Sequence, residues 1–217
     1  MIILDSNIVN VRPDKVYKIL SGTKDIFFEL GIRSMSMELI AKKLGISKKT
    51  LYSIVRNKKD LVTKVMVFTL DQIKSTVINL TSTNENAIEE MLSIFKFNEK
   101  ISSQINSNLL QELEKYFPDS YEVLINFRKN FLCPVLIDNI KKGISQNLYQ
   151  ADVKPDLVIQ FYMSYSLKLY EKQDYILKYT PVQIAKSMFC YHIKGLSNTN
   201  GLKYLTEKIS EDTFVVV

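Results

Sequence analysis

Residues 36–61 read SMELIAKKLGISKKTLYSIVRNKKDL, and their spacing decides how the N-terminal part of the chain folds. Ser36 stands in N-cap position, where a hydroxyl accepts a hydrogen bond from an unpaired N–H of the first turn. Met37, Ile40, Ala41 and Leu44 follow at helical spacing and form one inward face. Gly45 is placed to end that helix, because a left-handed residue closes a helix at least cost when it is glycine. Ile46 turns back to the core. Ser47 is a second N-cap, opening a third helix with Leu51, Ile54 and Val55 inward. Asn57 is a further cap, with Asp60 three residues on. Two short helices joined by a tight turn, with small Ala41 permitting close approach, form a helix-turn-helix. The second helix of such a motif lies in the DNA major groove.

With the inward residues assigned, Lys48, Lys49, Thr50, Tyr52 and Ser53 remain on or beside the outer face. Lysines pair with phosphates or with guanine acceptors. The Thr50 methyl group suits the thymine methyl, and the Tyr52 hydroxyl suits a phosphate. Lys58 and Lys59 fall in the first turn of the next helix, whose N–H groups already attract an anion. The charge distribution agrees with this reading. Residues 1–60 hold 12 Lys/Arg and 6 Asp/Glu, whereas residues 61–217 hold 17 of each. The net charge of +6 therefore resides in the first quarter of the chain, as for a head that meets a polyanion and a neutral body with another task.

Outside this stretch the period is also helical, with few glycines or prolines and little period-two alternation, so an all-α fold is expected. A first helix begins near Pro13 and carries Val16, Ile19, Leu20, Thr23, Phe27 and Leu30 on one stripe, ending at Gly31 in a left-handed conformation. A long helix from about Lys58 to Asn79 is apolar on two faces. Thr81–Asn86 reads as a loop. Further helices are expected over Ala87–Asn106, Leu109–Tyr116, Tyr121–Asn147 (bent near Pro134), Leu157–Glu171, Val182–Lys194 and Leu202–Ile209. The expected division is a helix-turn-helix domain over 1–60 and a helical regulatory and dimerisation domain over 61–217.

Ile19–Leu61 resembles the DNA-binding domain of the TetR family of transcriptional regulators. The resemblance rests on IFFELGI (Ile26, Phe27, Gly31) and on Ser36, Ile40, Ala41, Gly45, Ser47, Lys48, Thr50, Leu51, Tyr52, Asn57, Lys58, Asp60 and Leu61. Two positions depart from the family pattern. Lys49 stands where glycine is common, and Ile54 and Val55 replace the aromatic residue usual after Tyr52. The resemblance implies a homodimeric repressor with two helix-turn-helix heads on a palindromic operator in double-stranded DNA. It also implies a helical C-terminal domain that dimerises and holds a small-molecule effector, whose binding releases the DNA. Ser36 and Ser47 join Lys48, Lys49, Thr50, Tyr52, Ser53, Lys58 and Lys59 as the expected DNA-binding set. Phe161, Leu169, Ile184 and Phe189 are candidates for the dimer seam. Tyr121, Phe127, Phe131, Tyr162 and Tyr165 are candidates to line a pocket for a mostly apolar effector. An intramolecular core is the alternative for each of these residues, and it is the commoner place for aromatic stripes at helical spacing.

Other classes fit less well. No glycine-rich phosphate loop, metal-spaced Cys/His cluster or nucleophile elbow occurs, so neither an enzyme nor a cofactor or metal is expected. The one histidine, His192, has no neighbours that suggest catalysis. Cys133 and Cys190 suit free thiols of a reducing compartment. With no signal-like start and no long apolar run, a cytoplasmic chain without a membrane span is expected. The competing reading is a helical interaction module whose basic surface binds an anionic membrane or an acidic protein.

Overall fold

The computed structural model describes residues 12–168 and 179–211. These residues are helical throughout, apart from connections and one isolated antiparallel bridge between Tyr149 and Ser197. The helices are α1 (Pro13–Leu30), α2 (Met37–Lys43), α3 (Lys48–Tyr52), α4 (Lys58–Thr83), α5 (Ala87–Ser102), α6 (Leu109–Tyr116), α7 (Pro118–Phe127), α8 (Cys133–Ser145), α9 (Pro155–Lys168), α10 (Pro181–Leu196) and α11 (Thr199–Glu211). A single π-helical segment, Arg128–Leu132, joins α7 to α8.

The chain divides into two units, the first taking residues up to Thr76 together with Gln104–Arg128. The second takes Val77–Ser103 and everything from Lys129. The first unit therefore runs past residue 60, the division read from the sequence, and recruits α6 and α7. The physical reason is burial. Leu109, Leu113 and Phe117 join Val16, Ile19, Phe27, Ile40, Leu51 and Leu61 in one apolar core. The second core holds Ile88, Phe95, Ile140, Tyr149, Ile193 and Leu205, with Phe95 and Phe189 stacked at 3.9 Å.

Local chemistry sets the helix ends. Pro13 opens α1, and Val16, Ile19, Leu20, Thr23 and Phe27 are its buried stripe. Gly31 has φ 78° and ψ 172°. Its φ is positive, as expected, but its ψ is extended rather than left-handed helical, a combination that only glycine adopts readily. α4 continues four residues beyond Asn79, through a stretch read as loop. There Thr81, Ser82, Thr83 and Asn84 turn their side chains onto carbonyls of the preceding turn. Asn86 then caps α5, accepting from the Ile88 and Glu89 N–H groups. The helix expected over Tyr121–Asn147 is present as α7, the π segment and α8. Pro134 lies in the first turn of α8. It has no N–H to continue the i→i−4 ladder, and the preceding turn widens instead.

The second unit carries a buried polar cluster at the start of α5. Glu90 is 4% exposed and receives Lys142 Nζ at 2.8 Å and Asn139 Nδ2 at 3.0 Å. Asn139 Nδ2 and the Tyr149 hydroxyl both donate to the Ala87 carbonyl. Gln146 accepts from the Ala87 N–H and donates to the Glu85 carbonyl. Such a network stabilises only when every member is satisfied, and no buried side-chain polar atom among the described residues lacks a partner. None of the described helices is long and apolar enough to cross a membrane.

Candidate nucleic-acid interface

The head is built as its caps dictate. Ser36 Oγ accepts from the Leu39 N–H at 3.2 Å, and Ser47 Oγ accepts from the Thr50 N–H at 3.0 Å. Between them the chain turns through Gly45, at φ 65°. The Ile46 N–H donates to the Ala41 carbonyl and the Gly45 N–H to the Lys42 carbonyl. This paired 6→1 and 5→2 pattern closes α2 and redirects the chain. Ile40 and Leu51 are fully buried, and Ala41, Ile54 and Val55 nearly so. These residues lock α2 and α3 together and fix which residues of α3 point outward.

The outward set contains exposed Lys49, Tyr52 and Ser53, and Lys42 and Lys43 are exposed at the end of α2. Tyr52 is 47% exposed. Thr50 is half-buried, and its hydroxyl shares a 3.0 Å hydrogen bond with Ser47 Oγ. Ser53 Oγ donates to the Thr50 carbonyl at 2.7 Å. Ser36 and Ser47 thus shape the surface through their caps. Lys48 is exposed, but its ammonium is 2.6 Å from Glu38 Oε1. The hydrogen bond from Lys48 holds the Glu38 carboxyl below the usual carboxylate range.

The two lysines that open α4 behave differently. Lys59 is exposed, as expected. Lys58 is half-buried: its Nζ donates to the Arg33 carbonyl at 3.3 Å and lies 5.8 Å from the Phe117 ring centre. Burial pushes its pKa down, with nearby Glu112 opposing that shift. Lys58 therefore supports the α1–α2 turn instead of standing out toward an anion. Sequence reading missed the residues that hold this turn. Glu112 Oε2 accepts from the Ile32 N–H at 2.6 Å and the Arg33 N–H at 2.9 Å. The Arg33 guanidinium lies 4.8 Å from the Tyr116 ring centre. The Asn106 N–H donates to the Phe28 carbonyl at 2.6 Å. A cavity of about 20 Å³ among Phe27, Val62, Met66, Leu109 and Leu113 has room for no more than a water.

The remaining candidates are divided between the units. Tyr121 and Phe127 belong to the first unit, and Tyr121 packs on the head core. Phe131 and Tyr162 belong to the second, where the Tyr162 ring centre is 5.4 Å from that of His192. The Tyr165 side chain and Leu169 lie outside the described residues. Of the seam candidates, Phe161 is 66% exposed and Ile184 half-buried. Phe189 is 3% exposed. Its stacking on Phe95 turns it into the unit's own core, so it offers no surface to a partner. Leu157 and Tyr191, which sequence reading passed over, are 64% and 76% exposed.

Comparison with known proteins bears on this geometry. The sequence profile of the bacterial regulatory proteins of the tetR family matches residues 19–65, the helix-turn-helix and the start of α4. Residues 19–65 are a TetR-family DNA-binding domain. A relative described as an uncharacterized HTH-type transcriptional regulator, YvaF of Bacillus subtilis (strain 168), is 26% identical over 183 residues. That match covers 83% of this chain and 94% of the relative. Among solved structures, a TetR-family transcriptional regulator from Agrobacterium tumefaciens superposes with a TM-score of 0.69 at 14% identity, covering 85% of this chain and 98% of that one. AibR, solved in complex with isovaleryl coenzyme A and operator DNA, gives 0.56 at 21% identity, covering 81% and 96%. The TetR fold therefore extends over most of the described chain, with the family's DNA-binding domain at residues 19–65.

Proposed function

We propose that this TetR-family chain is a homodimeric repressor that reads a palindromic operator and leaves it when a small, mostly apolar effector binds the second unit. The observation that carries the reading is the exposed face of α3. Lys49, Tyr52 and Ser53 stand outward from a helix capped by Ser47 and set after the Gly45 turn. N-terminal residues of a recognition helix meet base edges, and flanking lysines meet phosphates. Lys42, Lys43 and Lys59 supply that flank.

Dimerisation is supported by exposed apolar side chains on two helices of the second unit. Leu157 and Phe161, four residues apart on α9, share a face, and Tyr191 stands out from α10. Large side chains so exposed mark a surface meant for covering. Release then follows from linkage: an effector that prefers the DNA-incompetent arrangement by ~100-fold supplies about 2.7 kcal/mol, and DNA weakens effector binding by the same factor. The chain passes between the units within α4, after α5 and at the π segment, and these are the connections through which that preference acts.

The test is sedimentation and fluorescence anisotropy with duplex DNA. Two chains per duplex are expected, with binding lost in a Thr50→Ala/Tyr52→Ala variant and assembly lost in a Leu157→Glu/Phe161→Glu variant. Tight binding to anionic vesicles, with no preference among duplexes, would instead favour an interaction module.

A further inference from the structure

From Ser36 to Lys59 the sequence holds seven Lys/Arg and one acid, Glu38. A carboxylate on a face that meets phosphates weakens binding by repulsion, so its presence there calls for a compensating role. Its geometry supplies one. Glu38 lies in the first turn of α2, and its Oε1 is 2.6 Å from the ammonium of Lys48, the first residue of α3. Both side chains are more than half exposed, so the pair is open to whatever meets the head.

An unrestrained lysine is a mobile point charge, and next to DNA it settles on the phosphates. An ammonium has three donors. Bonding to Glu38 uses one and leaves two, and it holds them at the N-terminal end of the recognition helix, where base edges are met. The guanine O6/N7 pair of the major groove offers two adjacent acceptors to these two donors.

We propose that Glu38 is a specificity-determining residue that positions Lys48 as a reader of guanine and withholds it from the phosphate backbone. The inference rests on the operator-binding reading above. The pair is electrically neutral, so it discriminates between bases without adding counterion release. Lys59, in contrast, binds phosphate.

The experiment compares the wild-type chain with Glu38→Gln, Lys48→Met and the double variant. Each is titrated across a salt series on three duplexes: the one the wild-type chain enriches from a random pool, the same duplex with its guanine positions changed singly, and an unrelated duplex. Glu38→Gln is expected to bind the unrelated duplex more tightly. Its log–log salt slope should be steeper by about 2 per dimer, one released lysine on each head. It should also lose about tenfold of preference at one guanine per half-site. Lys48→Met should lose the same preference with an unchanged salt slope, and the double variant should match Lys48→Met. A Glu38→Gln variant with wild-type slope and preference overturns the proposal, leaving the pair as surface charge only. A shallower slope in Lys48→Met also overturns it, by making Lys48 a phosphate contact. If the wild-type chain itself prefers no duplex, the operator reading fails first, and this inference falls with it.

Discussion

One carboxylate oxygen of Glu112 accepts hydrogen bonds from two successive backbone N–H groups, those of Ile32 at 2.6 Å and Arg33 at 2.9 Å. The contact joins α6 to the turn that orients α2 and α3, across about 80 residues of sequence. Ile32 is 2% exposed, so water cannot take over the lost bond. Glu112→Ala should lower stability by about 2–3 kcal/mol, the range for a charge-assisted bond whose buried partner is left unsatisfied. Glu112→Gln keeps an acceptor without the charge and should lose roughly half as much. Urea unfolding followed by circular dichroism measures both. A loss under about 0.5 kcal/mol for Glu112→Ala would show that the turn holds itself.

The Glu90–Lys142 pair gives a second stability prediction. Removing one member of a buried pair costs about 3–5 kcal/mol, because the other charge is left alone, whereas replacing both with apolar groups is often neutral. Lys142 is 30% exposed, which lowers the expected loss for Lys142→Met toward 2–3 kcal/mol. The Glu90→Leu/Lys142→Met double variant should recover at least half of that loss. Guanidinium unfolding midpoints at constant slope make the comparison, and additive losses in the double variant would contradict it.

Lys58 and Lys59 are adjacent in sequence but differ in surroundings. Lys59→Ala should shallow the log–log salt dependence of duplex binding by about 2 for a dimer. Lys58→Met should leave that slope unchanged and lower stability instead, because its ammonium supports the Arg33 carbonyl. Equal slope changes in the two variants would mean that Lys58 swings out to the phosphate on binding.

His192 supplies a pH dependence. Burial disfavours its imidazolium and lowers its pKa from the ordinary 6.5. The unfolded chain therefore binds the proton more readily than the folded one. Stability from the neutral histidine is present above pH 6.5 and is lost progressively as pH falls below it. His192→Gln should flatten the stability–pH curve between about pH 5 and 6.5 without altering it at pH 8. Thermal unfolding of both chains across that range tests this, and parallel curves would exclude His192 as the source.

The helix-turn-helix was legible because its determinants are local. Ser36, Gly45 and Ser47 act on N–H and carbonyl groups within a few residues, and the inward positions follow a single period. α6 joined the head unannounced, since nothing near Glu112 in sequence reveals that its oxygen meets Ile32. The surroundings of Lys58 are hidden from the sequence for the same reason: a lysine in a first turn has an identical local pattern whether it faces solvent or an aromatic ring 59 residues away. Phe189 shows the limit of periodicity. An apolar residue on α10 fits a seam between subunits and a core within one equally well, and only Phe95 decided between them. Leu157 and Tyr191 were missed conversely, because the apolar pattern of α9 and α10 does not say which face stays uncovered.

The central claim is that α3 reads DNA sequence as one of a symmetric pair. Selection of bound duplexes from a random pool, using the full chain near physiological salt, addresses it most directly. The account predicts enrichment of an inverted repeat whose half-sites are centred about one helical turn apart. The Thr50→Ala/Tyr52→Ala variant should enrich no such repeat. Enrichment of no common sequence by a wild-type chain shown by mass analysis to carry no bound small molecule would contradict the account.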